Sequence, residues 1–365
     1  MHTLMNNSLV MSGGIDWMKQ RRIVRPQIHR QRLAMLTELM VHAIDEALVS
    51  WERSADLSTF NVAPAFNELT LKVLSRTLFG KGPYKEEMNK VLKALDYTMN
   101  YILRAIILSS WPSWVPLGRK KFEKSIRQID ETVYQMIADG CNNNGAENHL
   151  IAMLLDTVDD ETSEGLTEQE LRDEVITLLL AGFEICSNAL AWACDFLTHR
   201  PDVMEKLHAE VDAVLGDRLP TFNDLMKLRY SRMVLHETLS LRPSVWQLPR
   251  IATQDEEVDR QHSPAGMTLI SMLHACHYHP DEGQNPGCFQ PEKPANPRKF
   301  AYLPFGIGER SCIGKDFVLM EGQLALAMIA QRYTLTKTSE SLAQPQLFFA
   351  LQPKGGVRVK LEKRS

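Results

Sequence analysis

The sequence has no long uncharged apolar run and no clear excess of charge of one sign. Its longest apolar stretches, near 101–114 and 175–183, fall short of the roughly 20 residues that span a bilayer. The first residues lack a basic segment followed by an apolar core, so they do not resemble a secretory signal. Lys and Arg total 41 against 45 Asp and Glu, which gives no basic field for nucleic acid. These absences predict a soluble, cytoplasmic protein that binds neither nucleic acid nor a membrane.

Cysteine is also scarce, with six in 365 residues and no repeated CxxC spacing. So long a chain does not indicate a disulfide framework, and we expect free thiols in a reducing compartment. The content of hydrophobic residues (44%) and charged residues (24%) excludes a disordered protein. The length allows two domains or one large domain.

Hydrophobic residues spaced three and four apart predict helices through the first two thirds of the chain. Thr167 and Glu170 fit a capping box, and the helix that they begin could run to about Thr198. Between Pro243 and Pro304, prolines, glycines and β-branched residues cluster, which indicates a small β region. The predicted helices are 31–51, 66–78, 85–109, 121–141, 148–155, 203–214, 232–241 and 315–332, and the predicted strands are 267–272 and, around a turn at Gly355 and Gly356, 348–351 and 357–361.

The segment 305–314, FGIGERSCIG, is the most informative part of the chain. Its glycines let the backbone fold tightly around the Cys312 sulfur, where N–H groups can hydrogen-bond to a thiolate. The predicted helix that follows directs its positive N-terminal end at this sulfur. Arg310 can reach an anionic group of a cofactor. A structural cysteine in a turn is the alternative, which we accept for Cys141, Cys194, Cys276 and Cys288.

This segment resembles the haem-binding loop of the cytochromes P-450, the haem-thiolate monooxygenases. The resemblance implies a mainly α, cytochrome P-450 fold with small β-sheets. It implies one domain over residues 1–365 that lacks the family's N-terminal strands and first helices. It also implies haem b (iron protoporphyrin IX), with the Cys312 thiolate as the axial iron ligand. The loop residues assigned to the haem are Phe305, Gly306, Arg310, Cys312, Ile313 and Gly314.

The resemblance extends over nearly the whole chain. Trp17 and Arg21 resemble the WxxxR helix that contacts one haem propionate, and Arg250 resembles the strand arginine that reaches the other. Ala181 and Gly182 resemble the start of the oxygen-binding stretch of the central helix. The distal pocket implied by the family is apolar and aromatic, which indicates a hydrophobic substrate. Its side chains are Leu178, Ala181, Gly182, Ile185, Val245, Trp246, Leu248, Phe348 and Phe349.

The chain departs from the family in the oxygen-binding stretch. Ile185 stands where the family has a threonine, and it has no proton to donate. General acid catalysis of this kind is typically worth ~10²–10⁴-fold in rate. Within the helix, Glu184, Cys186 and Ser187 are the candidates to replace it. A water molecule or the substrate's own hydroxyl is the other alternative.

A second departure concerns the family's Glu-Arg-Arg triad. Glu237 is present, but Ser240 occupies the position of the first arginine and Lys293 that of the second. Arg242 is a poor substitute because it lies about 140° around the helix from Glu237. Lysine pairs with glutamate as a point charge and lacks the planar fork of arginine. We therefore expect a looser scaffold beneath Cys312.

Three functions remain open at this stage. The first is monooxygenation of a hydrophobic small molecule, using O₂ and electrons from an external ferredoxin and reductase or a flavoprotein. The second is a peroxide-driven or rearrangement reaction on the same haem, which needs no protonation of O₂. The third is a degenerate, non-catalytic haem-binding paralogue. His274, His277 and His279 are interpreted as structural or surface residues, because a zinc site would need more ligands at better spacing.

Overall fold

The computed structural model describes residues 4–5, 7–53, 56–80, 85–107, 118–142, 149–279, 285–293, 302–339, 341–347 and 350–364. Two of the predicted pocket residues, Phe348 and Phe349, lie outside these ranges. The chain divides into two compact units. The first unit consists of Met1–Ala47 and Glu68–Phe183, and the second of Leu48–Asn67 and Glu184–Ser365.

The described chain is mainly helical, as predicted. The helices are α1 (Gly14–Gln27), α2 (Arg30–Glu52), α3 (Val62–Phe79), α4 (Lys85–Ile107), α5 (Arg119–Asn142), α6 (Leu150–Leu155), α7 (Glu168–Thr198), α8 (Pro201–Val214), α9 (Arg229–Leu241), α10 (Leu273–His277) and α11 (Lys315–Arg332). A 3₁₀ helix covers Phe222–Met226. The segments predicted from hydrophobic spacing are confirmed as α2 to α9 and α11, since that spacing reports the buried face of each helix.

Helix α7 begins with the predicted capping box. The Glu170 amide donates to Thr167 Oγ1 at 3.2 Å, and the Thr167 amide donates to Glu170 Oε2 at 2.8 Å. Helix α7 is long and apolar enough on average to cross a membrane. Its uninterrupted apolar runs are shorter than a membrane span. However, 61% of its apolar window is buried within the protein. Its apolar character therefore suits a core helix.

The strands form small antiparallel sheets. They are β1 (Phe60–Asn61), β2 (Leu248–Ile251), β3 (Glu256–Val258), β4 (Gln261–Ser263), β5 (Thr268–Ser271), β6 (Tyr333–Lys337), β7 (Pro345–Leu347), β8 (Leu351–Pro353) and β9 (Arg358–Lys363). One sheet has the order β1-β9-β6, and the others pair β2 with β5, β3 with β4 and β7 with β8. The strand predicted at 267–272 is confirmed as β5, whose Leu269 lies opposite Arg250.

The sequence predicted that the strands on either side of Gly355 and Gly356 form a hairpin, and this strand pairing was wrong. Strand β8 pairs with β7, whereas β9 pairs with β1 and β6, so the two glycines connect different sheets. Gly356 has φ +82°, and a Cβ there would lie 2.5 Å from Asn61 Oδ1. The same Asn61 oxygen accepts a hydrogen bond from the Val357 amide at 3.2 Å. This long-range contact directs the chain away from β8.

Helix α11 is the core element of the second unit. Every residue from Phe317 to Ala330 is buried, and full burial of a large aliphatic side chain stabilises by ~1.5–3 kcal/mol. A Cβ at Gly322 would lie 2.7 Å from Leu235 Cδ2 on α9. Glycine therefore lets α9 and α11 pack closely, and this packing places the Glu237 helix beside the helix that follows Cys312.

Candidate active site

The cysteine loop, Phe305–Gly314, folds back on itself. The Cys312 amide donates to the Phe305 carbonyl at 2.8 Å. Gly306 and Gly308 make this turn with φ of +68° and +78°, a left-handed conformation that favours glycine. Gly314 caps α11, and a Cβ there would lie 4.0 Å from Cys312 Sγ. The loop thus holds the sulfur at the N-terminal end of α11, where the helix dipole stabilises a thiolate.

Five cysteines are free thiols, but their surroundings differ; they are Cys186, Cys194, Cys276, Cys288 and Cys312. Cys186 and Cys194 are buried, and burial raises the pKa of both thiols. Such thiols are poor metal ligands because the thiolate is the ligating form. Cys312 is exposed and stands at a helix N-terminus. Within the described ranges, no group of three or more His, Cys, Asp and Glu side chains could hold a bare metal ion. A single thiolate suits an iron whose other ligands come from a cofactor.

Arg310 of the cysteine loop interacts electrostatically with Arg250 on β2. Burial and the positive charge of Arg250 lower the pKa of Arg310. The two guanidinium groups therefore lie close enough to repel each other. Arg250 on β2 is exposed and donates to the Pro249 carbonyl at 2.8 Å. A carboxylate placed against both groups would relieve this repulsion through charge-assisted hydrogen bonds. This pair of cations fits the propionates of a haem.

The predicted pocket segment, Val245–Leu248, packs against the cysteine loop. A Cβ at Gly306 would lie 3.5 Å from Leu248 Cδ1. Val245, Trp246 and Leu248 are partly exposed. Ser244 Oγ donates to the Ile185 carbonyl at 3.0 Å, which joins this segment to α7. The structure therefore brings Ile185, the pocket segment and the cysteine loop into one part of the second unit.

The three residues proposed to replace the missing threonine have different surroundings. Ser187 is buried, and its hydroxyl donates to the Glu184 carbonyl at 3.2 Å. Cys186 is buried against Glu321 of α11, and burial together with that carboxyl raises the pKa of the thiol. Glu184 is partly exposed. Of the three, Glu184 has the side chain that remains accessible to a ligand.

The other α7 residues belong to the first unit. Leu178, Ala181 and Gly182 are partly exposed, although the turns before them are buried. A Cβ at Gly182 would lie 2.8 Å from Leu74 Cδ2 on α3. The close packing of α7 against α3 therefore accounts for the glycine at position 182. Partial exposure is the property expected of a helix that faces a ligand.

The WxxxR residues of α1 lie on one face, as their spacing of four predicts. The Arg21 guanidinium carbon lies 5.4 Å from the centre of the Trp17 ring, within the range of a cation–π contact. Trp17 is buried and Arg21 is partly exposed. The tryptophan therefore orients the arginine, and both belong to the first unit.

Lys293 forms an ion pair with Glu237, although the sequence lacks both arginines of the expected triad. Its Nζ donates to Glu237 Oε1 at 2.7 Å and to the Cys288 carbonyl at 2.7 Å. The Gln290 amide donates to the same glutamate oxygen at 3.0 Å. Glu237, only 8% exposed, therefore has a cation and an amide as partners. As expected, Arg242 does not join them, since it donates to the Tyr278 hydroxyl.

Sequence reasoning missed the part that His277 plays in this scaffold. Its Nδ1 donates to the Ser240 carbonyl at 2.9 Å, and its Nε2 accepts from the Leu303 amide at 2.9 Å. Burial lowers the pKa of this ring. The only signal in the sequence was a histidine at a position where the family often has one, and nothing in the sequence identified its two partners.

The fold and the cysteine loop together define a haem-thiolate protein, and comparison with known proteins agrees. The chain belongs to the cytochrome P-450 family, whose family model matches residues 2–360. Cyclooctat-9-en-7-ol 5-monooxygenase of Streptomyces melanosporofaciens is 30% identical over 339 residues, which are 91% of this chain and 73% of the relative. Cyclooctatin synthase of the same organism is 31% identical over 353 residues, 94% of this chain and 76% of the relative.

A solved structure shows the same fold. The haem domain of cytochrome P450DA superimposes with a TM-score of 0.89 at 27% identity, over 100% of this chain and 81% of that chain. Family and fold confirm the predicted resemblance, the mainly α cytochrome P-450 architecture and an oxidoreductase that carries haem through a cysteine thiolate. They also confirm monooxygenation as the class of reaction.

Proposed function

We propose that this protein inserts one oxygen atom of O₂ into a hydrophobic, terpenoid-like molecule, with haem b held by Cys312. The observation that carries this proposal is the loop that fixes the Cys312 sulfur at the start of α11, through a 2.8 Å bond from its amide to the Phe305 carbonyl. Two relatives, named cyclooctat-9-en-7-ol 5-monooxygenase and cyclooctatin synthase, support the substrate class.

The residues that would hold the haem divide into two tasks. Cys312, exposed and at a helix N-terminus, would bind the iron. Arg250 and Arg310 would bind propionate carboxylates, with Trp17 and Arg21 as the further candidates from the sequence. When bound, the haem supplies the oxygen activation that no side chain here can provide.

The protein's own side chains would bind and orient the substrate. Ile185, Val245, Trp246 and Leu248 offer partly exposed apolar surface that excludes water from a hydrocarbon. Glu184 is partly exposed and can hold or move a proton at its carboxylate oxygens. A hydroxyl on the substrate would be a second proton donor, because Ile185 has none.

Electrons would come from outside this chain. We propose an external ferredoxin with its reductase, or a flavoprotein, as the donor, and a cytoplasmic location. We further propose that residues 1–365 act as one cytochrome P-450 domain. This part of the proposal is supported by family membership alone.

A peroxide-driven or rearrangement reaction is the second candidate. Ile185 favours it, since the oxygen-binding stretch has lost its hydroxyl. The described structure adds that the Ser187 hydroxyl bonds to its own helix and that Cys186 is buried against Glu321. Neither group is a ready proton donor. Chemistry that does not require protonation of O₂ would tolerate this arrangement.

One experiment tests the proposal and separates the two reactions. The full chain is loaded with haem, and the absorption spectrum of its reduced, CO-bound form is recorded. A thiolate-type Soret band is expected, and Cys312→Ser should abolish it. Cys276→Ser, which changes another exposed free thiol, should leave it intact.

The same haem-loaded protein is then given a cyclic terpene alcohol. Product formed with NAD(P)H, ferredoxin and reductase supports monooxygenation. Product formed only with hydrogen peroxide supports the second candidate. A chain that takes up haem without a thiolate-type band would contradict both.

A further inference from the structure

We propose that His277 is a positioning residue that ties the end of α9 to the backbone entering the cysteine loop. This inference rests on the proposed function, because it assigns a task toward the haem thiolate. We call His277, the Ser240 carbonyl and the Leu303 amide the histidine clamp.

The geometry of the clamp fixes the state of the ring. A carbonyl can only accept, so Nδ1 must carry the proton that bonds to Ser240 at 2.9 Å. An amide can only donate, so Nε2 must offer a lone pair to Leu303, also at 2.9 Å. His277 is 3% exposed, so water cannot replace either bond at low cost. The clamp therefore requires a neutral imidazole with one defined tautomer.

A second histidine supports the same point of the chain. His236 Nδ1 and the Tyr302 hydroxyl form a hydrogen bond of 2.7 Å. The Tyr302 ring also stacks on His277, with ring centres 5.9 Å apart and planes inclined by 22°. Two consecutive residues, Tyr302 and Leu303, are thus bound to α9, one through its side chain and the other through the clamp.

The clamp lies close to the cysteine along the backbone. Leu303 is two residues before Phe305, whose carbonyl accepts the Cys312 amide. The Gly306 amide donates to the Leu303 carbonyl at 3.0 Å, so the clamped residue is also part of the turn. Movement of Leu303 would therefore be passed directly to the loop that holds the sulfur.

Acid should open the clamp, because a protonated Nε2 cannot accept from the Leu303 amide. The groups that face the two rings lower the pKa of each ring, and so they shift this opening to a lower pH. His274 on α10 faces His277, and Arg232 on α9 and Lys315 on α11 face His236. Burial lowers the pKa of both rings, that of His236 to about 4. Glu237 is the charged group of α9 that acts on Tyr302.

The test compares three variants of the full chain, first without haem. His277→Phe keeps a flat ring and removes both bonds, whereas His277→Gln can keep one of them. His262→Phe makes the same change at an exposed position on β4. The measurements are amide hydrogen exchange of residues 302–314 and the alkylation rate of the Cys312 thiol.

His277→Phe should speed exchange in 302–314 by about tenfold, the effect of losing one or two hydrogen bonds of ordinary strength. Cys312 alkylation should rise in parallel, His277→Gln should be intermediate, and His262→Phe should match the wild type. Wild-type exchange of 302–314 in His277→Phe would overturn the proposal. An equal rise of amide exchange in every helix would also overturn the proposal, because it would indicate a general packing role for His277.

With haem bound, the pH profile of the thiolate-type band gives the second readout. Because burial lowers the pKa of His277, the wild type should keep the band near neutrality and lose it only at a pH below the ordinary titration range of histidine. His277→Phe should show a weakened band without that dependence. If His277→Phe fails to fold, the His277→Gln profile and the exchange of the wild type between pH 7.5 and pH 4 decide the question. A flat exchange profile over this whole range would contradict the clamp. Failure of the wild type to bind haem would sink the proposed function, while exchange in the haem-free chain would still test the clamp.

Discussion

Glu237 and Lys293 form a partly buried ion pair, with Lys293 Nζ 2.7 Å from Glu237 Oε1. The lysine stands at the position that the sequence resemblance assigns to an arginine, and it bonds the Cys288 carbonyl as well. One ammonium group therefore makes the contacts that link α9 to the segment around Cys288. The scaffold beneath the cysteine loop keeps its central charge pair despite the two lost arginines.

We expect Lys293→Met to destabilise the protein by about 3 kcal/mol, because it leaves the Glu237 carboxylate buried without its cation. Urea unfolding at pH 7 measures the change. Lys206→Met is the matched control, since Lys206 pairs with the half-exposed Glu292 at the surface and its loss should cost no more than about 1 kcal/mol. Equal losses for the two variants would show that the pair with the buried Glu237 carboxylate stabilises the protein no more than a surface pair does.

Ile185→Thr should restore a proton donor to the oxygen-binding stretch of α7. We expect the fraction of NAD(P)H converted to product to rise by about tenfold or more, the lower end of the range for general acid catalysis. Ile185→Val is the control, because it has the same branched shape without a hydroxyl. If both variants behave alike, the hydroxyl is not what this site lacks. Turnover with hydrogen peroxide should change little in either.

Arg310→Met should weaken haem retention by about tenfold, since one charge-assisted bond to a carboxylate is lost. Transfer of haem to an excess of apomyoglobin measures the retention. Arg310→Lys should recover part of the affinity through its charge alone. Arg260→Met, in the exposed turn between β3 and β4, should leave haem transfer unchanged. Unchanged transfer in Arg310→Met would remove this residue from the haem site.

Glu321 should make the stability of the protein depend on pH. Burial raises the pKa of this carboxyl to about 8 from 4.5, and an interaction with the Cys186 thiol offsets the rise only in part. Neither carboxyl oxygen has a partner with hydrogen-bond geometry among the described residues. The folded protein therefore holds this proton more tightly than the unfolded chain does. Consequently, the free energy of unfolding falls as the pH rises from about 4.5 to about 8.

Glu321→Gln removes this titration and keeps the shape of the side chain. We expect it to raise the free energy of unfolding at pH 8.5 by about 2–4 kcal/mol relative to the wild type, and to change it little at pH 5. Urea unfolding at the two pH values measures the difference. Glu205→Gln, at an exposed site on α8, should show no such pH-dependent gain. A gain of equal size at both pH values would contradict the raised pKa.

The sequence by itself determined the features that depend on neighbouring residues. The glycines around Cys312 and the helix 315–332 follow from local backbone preferences and hydrophobic spacing, so the thiolate loop and family were recognisable. The capping box at Thr167 is a contact across three residues, and its pattern could be recognised directly. Spacing also predicted that Arg242 is a poor partner for Glu237, and Arg242, which lies just past the end of α9, bonds the Tyr278 hydroxyl instead.

Only the tertiary structure decided the contacts between distant segments. The Lys293 pair, the burial of Cys186 against Glu321 and the His277 clamp join residues between 26 and 135 positions apart, and no local pattern encodes which of many polar groups will meet. The separation of β8 from β9 likewise depends on Asn61, some 296 residues before Val357. Strand pairing and buried polar networks are set by how the helices pack. For this reason the chain could reveal its cofactor ligand, while the support beneath that ligand emerged only from the fold.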